Sequence, residues 1–169
     1  MRFGLVRSSA IGVCLLASAP AFAGQAECDL IAKSMLAVAD QPAVRQTVDL
    51  GAGKGEGMSS ILLKDAIYVR EEPNAAWRKM PFTAAMRKTM AEKALVSLPL
   101  SDCAEGSADA ANGVAVKSYG FKQPDPLKPG SKSSSSILIA PSDGLPRRMD
   151  LTDGSAMVFE YGDFKAPTP

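Results

Sequence analysis

Three cysteines and no histidine set the chemical limits of this 169-residue chain. Without histidine there is no imidazole base for a Ser-His-Asp or Cys-His nucleophile, and no histidine metal ligand. Serine–lysine catalysis of the Ser-x-x-Lys type is excluded as well, because no lysine has a serine three residues before it. The glycine run from Gly51 to Gly57 has the look of a phosphate loop and lacks its grammar. Glu56 stands where a dinucleotide fingerprint needs glycine, and Lys54 is followed by Gly55 rather than Ser or Thr. A flexible hairpin is the expectation there. Tyr161 and Lys165 have the spacing of a short-chain dehydrogenase pair, but they end a strand instead of sharing a helix. Asp150, Asp153 and Gly154 suggest a calcium loop, yet Met149 and Leu151 sit where oxygen ligands are required. Glu71 and Glu72 are neighbours on a strand, so they point to opposite faces and cannot act as a paired acid and base. No cofactor or metal is implied, and a non-enzymatic protein is expected.

The cysteines point to a cross-link. Cys14 belongs to an N-terminal leader, which leaves Cys28 and Cys103. Redox pairs usually lie two residues apart, and these are roughly 75 apart. In an oxidising compartment two such thiols most often pair. Closing a loop of that length is worth on the order of 4 kcal/mol in the chain-entropy model.

The elements that must bring these cysteines together follow from periodicity. Cys28, Ile31, Met35 and Val38 share one helical face, which predicts a helix over about 28–39 that Pro42 stops. Strands are expected at Val44 to Leu50, Met58 to Lys64, Ala66 to Glu71 and Trp77 to Met80. A second helix is expected over Phe82 to Leu98, with Thr83 as its N-cap and Pro99 as its stop. Its apolar row reads Phe82, Met86, Met90 and Ala94, while Arg87, Lys88 and Glu92 take the other side. Cys103 follows directly. Glu105 to Gly113 reads as a polar loop, Val114 to Phe121 as a strand, and Gln123 to Ser136 as a long Pro-, Lys- and Ser-rich mobile loop. Strands at Ile137 to Ala140, Arg148 to Leu151 and Ala156 to Tyr161 close the chain, joined by Asp-Gly turns. Short connections favour antiparallel pairing. The fold class is therefore α+β: about eight strands in a strongly twisted antiparallel sheet, with two helices packed on one face. The single domain should occupy 24–165, with a disordered tail at 166–169.

One positive feature remains. Strand residues of one parity are apolar: Ile61 and Leu63, Ile137 and Ile139, then Met157, Phe159 and Tyr161. The second helix adds Phe82, Met86 and Met90. Trp77 stands beside them in the fourth strand. Either these residues fill a core, or helices and curved sheet leave an apolar cleft for an acyl chain.

The first 23 residues fix an expected address. Arg2 and Arg7 precede an uncharged apolar run from Ala10 to Ala19, and Ala21-Phe22-Ala23 is the small-x-small pattern of a signal-peptidase site. A run of about ten residues is too short to span a bilayer, which takes about 20. Cleavage after Ala23 would leave 146 residues, periplasmic and not membrane-spanning. With Arg2 and Arg7 gone, the 19 basic residues fall to 17 against 18 acidic ones. That balance gives no case for nucleic acid.

The C-terminal third resembles a known group. Ile137-Leu138-Ile139-Ala140, then Gly144-Leu145-Pro146-Arg147-Arg148-Met149, then Phe159-Glu160-Tyr161-Gly162-Asp163-Phe164 is similar to the closing hairpins of LolA/LppX-like periplasmic lipoprotein-carrier proteins. Ile67-Tyr68-Val69-Arg70 followed by Trp77-Arg78-Lys79-Met80-Pro81 is similar to an earlier hairpin of the same group. The resemblance implies an unclosed half-barrel with helices on its concave face, holding lipid or lipoprotein acyl chains. It carries over no lid arginine. The expected function is a monomeric periplasmic carrier of a lipid or acyl chain. On this reading the chain contacts Ile61, Leu63, Trp77, Phe82, Met86, Met90, Ile137, Ile139, Phe159 and Tyr161. The alternative is an envelope protein–protein interaction module with a filled core and no ligand.

Overall fold

The computed structural model describes residues 24–111 and 113–168. The leader expected at 1–23 lies outside the described residues. The chain runs α1 (Gln25–Ala39), β1 (Val44–Asp49), β2 (Glu56–Leu62), β3 (Ala66–Arg70), β4 (Arg78–Pro81), α2 (Ala84–Ser97), β5 (Ser101–Ala111), β6 (Val114–Pro124), β7 (Lys132–Ile139), β8 (Pro146–Asp150) and β9 (Ala156–Tyr161). The strands form one unclosed, curved antiparallel sheet of nine, in the order β4-β3-β2-β1-β9-β8-β7-β6-β5. The expected α+β half-barrel is therefore present.

Two expected loops are strand. Residues 105–111 extend β5, which pairs with β6 from Ser101↔Lys122 to Ala111↔Val114. The Pro- and Ser-rich stretch is likewise mostly paired, with Gln123↔Ser133 and Pro124↔Lys132 at the end of the β6–β7 ladder. Composition misled at both places. Small polar residues satisfy a solvent-facing ladder as well as a loop, because cross-strand hydrogen bonds do not depend on side-chain polarity. Only 125–131 remains as a turn, where the Asp125 carboxylate accepts from the Leu127 amide.

The topology decides where α2 lies. β4 and β5 are opposite edges of the sheet, so the connection between them must cross the whole face. α2 is that connection. It packs on α1 and makes no comparable contact with any strand. Thr83 caps it as expected, its hydroxyl accepting from the Met86 amide at 3.3 Å. Its far end is tied by Gln123, whose amide donates to the Leu98 carbonyl at 3.0 Å.

α1 is held much more firmly. Cys28 is bonded to Cys103 with the two Cα atoms 5.3 Å apart. Cys28 and Ile31 join Tyr119, Phe121, Ile137 and Ile139 in one buried cluster. Two turns further on, Val38 packs with Val44, Leu62 and Phe159 in a second. Asp102, in the left-handed region at φ 51°, marks a bulge in β5 beside Cys103. Gly24, at φ 95°, lies against the Cys103 carbonyl, where a Cβ would collide with it.

Candidate functional site

Between the helix-facing side of the sheet and the underside of α2 lies a cleft of about 420 Å³. That is within the range of about 300–1,000 Å³ usual for small-molecule sites. The sheet supplies Leu62, Ile67, Ile137, Met149, Met157 and Phe159, and α1 supplies Met35 and Val38. Phe82 closes the end next to α2. The roof is α2 itself, through Arg87, Ala91 and Ala94. These three residues fall at i, i+4 and i+7, one face of a helix. Two of them are alanines, so the roof stands off the floor along Ala91 and Ala94, and the space persists because neither methyl group is large enough to fill it.

Only two lining side chains are polar. Gln46, on β1, accepts from the Ser60 hydroxyl at 3.4 Å. Arg87 is 5% exposed and is the sole buried residue of α2. Its Nη1 donates to the Gln41 carbonyl at 3.0 Å, just beyond the C-terminus of α1. Its buried Nε has no partner among the described residues.

The cleft brings together three of the residues singled out in the sequence: Phe82, Ile137 and Phe159. The others lie elsewhere. Ile61, Leu63 and Trp77 are on the opposite face of the sheet, where Ile61 packs with Tyr68 and Ala66, and Leu63, Trp77 and Phe164 cover them. The register requires this: Val44 pairs with Leu62, so Leu62 shares the helix-facing side and Ile61 does not. Met86 and Met90 point to solvent, at 46% and 59% exposed. The inward face of α2 is the one carrying Arg87, which corrects its assignment to the outer side. Ile139 packs beside the disulfide. Tyr161 borders the Phe159 cluster, and its hydroxyl donates to the Pro146 carbonyl at 2.8 Å. Burial pushes its phenol well above the ordinary value of 10, which fits a packing role at the rim.

Sequence reading missed Leu62, Ile67, Met149 and Arg87. Ile61-Leu62-Leu63 is apolar without alternation, so periodicity cannot say which member faces the helices; only the pairing partner can. Met149 carried a usable signal: its strand neighbours Arg148 and Asp150 are charged and line the outer groove, which leaves Met149 to the helix-facing side.

A wider hollow of about 740 Å³ lies on the other flank of α1. Asp29, Lys33, Lys117 and Asp143 line it, and so many charges suit water better than an apolar ligand. A polar groove on the outer face of the sheet holds Arg148, which bonds Asp150 at 2.7 Å and Asp49 at 3.1 Å. Among the described residues no group of three or more His, Cys, Asp or Glu side chains could hold a metal ion. No helix there is long and apolar enough to cross a membrane.

No protein-family model and no curated protein sequence matches the chain. Among solved structures it is similar, distantly, to the crystal structure of the Mycobacterium tuberculosis lipoprotein LppX. The TM-score is 0.47 and the identity 12%, over 85% of this chain and 97% of that one.

Proposed function

We propose that the protein binds the acyl chain of a lipid or lipoprotein in the cleft under α2, and acts as a carrier rather than as an enzyme. One observation carries this reading: an apolar space of about 420 Å³ between sheet and helix, left open by alanines at the roof. A methylene moved from water to such a lining gains about 0.8 kcal/mol, so a chain of several carbons suffices for binding without directional contacts. The Cys28–Cys103 disulfide supports work in an oxidising compartment outside the cytoplasm, in keeping with the leader expected at 1–23. The interaction-module alternative would use a free strand edge or the Ser- and Lys-rich segment between β6 and β7, and β5 is the long edge. That edge is interrupted by two register shifts and carries Asp102, Glu105 and Asp109, features that discourage strand addition.

Native mass spectrometry of the full chain, purified without detergent, tests the proposal. Adducts of lipid mass that disappear on solvent extraction and return on adding a long-chain alcohol are expected. A protein that carries no adduct and takes up no added chain would overturn it.

A further inference from the structure

We infer that Arg87 makes this cleft selective for an acyl chain ending in a carboxylate, the chemistry of a free fatty acid. The inference rests on reading the cleft as an acyl site and adds what sits at the end of the chain.

A guanidinium carries its charge at any physiological pH. Arg87 is nonetheless 95% buried, in a lining otherwise apolar except for Gln46. Among the described residues no carboxylate lies within ion-pair distance of it. The nine ion pairs found there use Arg45, Arg70, Arg78, Lys117, Lys122, Lys132, Arg147 and Arg148. What Arg87 has is one carbonyl, that of Gln41, on Nη1. The negative end of the α1 dipole lies close by and offsets part of the charge. It does not supply an acceptor to Nε, which stays buried and unpartnered.

A purely structural role would not need this group. The Gln41 carbonyl requires a single N–H, which a neutral amide would supply at a smaller desolvation cost. The charge itself is explained by a ligand that brings the opposite one. A monoanionic carboxylate cancels one guanidinium charge without remainder and can accept a charge-assisted hydrogen bond from the guanidinium. In an apolar surround that pairing is stronger than the same pair in water. Gln46 cannot supply the charge, because it is neutral; its Oε1 accepts from Ser60 and its Nε2 can only add a neutral donor. The chain would then run from Arg87 along Ala91 and Ala94 over the floor formed by Leu62, Met149 and Phe159.

Competition against Nile red, a neutral fluorescent probe, separates carboxylate selectivity from acyl binding. Dodecanoate and dodecanol are titrated into the full chain at pH 7.5 and low salt. Wild type should release the probe at a dodecanoate concentration at least about tenfold below that of dodecanol. Arg87→Gln should bring the two within about twofold, and Arg87→Lys should keep part of the preference. Equal potency of the two ligands in wild type overturns the carboxylate assignment and leaves acyl binding standing. An unchanged ratio in Arg87→Gln also overturns it. Displacement by neither ligand overturns the acyl site itself. The wild-type ratio decides the matter even if Arg87→Gln fails to fold, which circular dichroism would report.

Discussion

α1 and α2 differ by one residue in length, 15 against 14, and are held by different means. α1 buries Cys28, Ile31, Ser34, Val38 and Ala39 and is covalently tied to β5. α2 buries Arg87 alone and leaves Val96 82% exposed. The first is a core helix. The second is carried across the face of the sheet by its connections to opposite edge strands, and so does not have to fill the space beneath it. A helix held by topology can roof a cavity, whereas a helix held by packing removes one.

Cutting the disulfide should have the largest effect on this contrast. The Cys28→Ala/Cys103→Ala variant should lose about 2–5 kcal/mol in urea unfolding. If α1 rests mainly on packing instead, the loss will be under about 1 kcal/mol. Single truncations sharpen the comparison further. Ile31→Ala, at a fully buried α1 position, should cost about 2–5 kcal/mol. Met90→Ala, on the exposed side of α2, should stay within about 0.5 kcal/mol. Comparable losses at both sites would mean that α2 packs as α1 does.

These expectations also mark how far the chain could be read before its structure. Both helices, eight of the nine strands, the Thr83 cap and the cysteine pairing are legible, because periodicity of 3.6 or 2 and compartment chemistry are local signals. The two polar strands at 105–111 and 132–136 are not, because their ladders are non-local and their side chains carry no apolar alternation. The site is legible only where one parity dominates. Phe159 and Ile137 sit on strands buried on one face. Ile61 and Leu63 sit on a strand buried on both, covered on the far side by Trp77 and Phe164. Arg87 is hidden by its own chemistry: an arginine among Lys88 and Glu92 reads as surface charge, and only the crossing of α2 from β4 to β5 turns it inward.

The smallest expected effect lies on the outer face, away from both helices. The Gly51 amide, and then the Arg148 guanidinium, hold the Asp49 carboxyl below its ordinary value of 3.8. A carboxyl lowered on folding adds stability above its unfolded value and loses it as pH falls through the folded one. The stability difference between wild type and Asp49→Asn should therefore be greatest above about pH 5 and close as the pH drops below 3.8. A difference constant from neutral pH to pH 2 would show that the Asp49–Arg148 contact, which reaches from β1 to β8 across β9, does not stabilise the sheet.

The claim that the space under α2 is a working acyl site is tested most directly by filling it. Ala91 lines the roof and is only half-buried, so a larger side chain can enter the cleft without displacing the sheet. Binding of dodecanol to wild type and to Ala91→Trp, measured together with thermal unfolding, is the decisive comparison. At least about tenfold weaker binding in the variant, or about 1.4 kcal/mol, with an unchanged melting temperature is the predicted result. Equal binding by both proteins, or none by wild type, would contradict it.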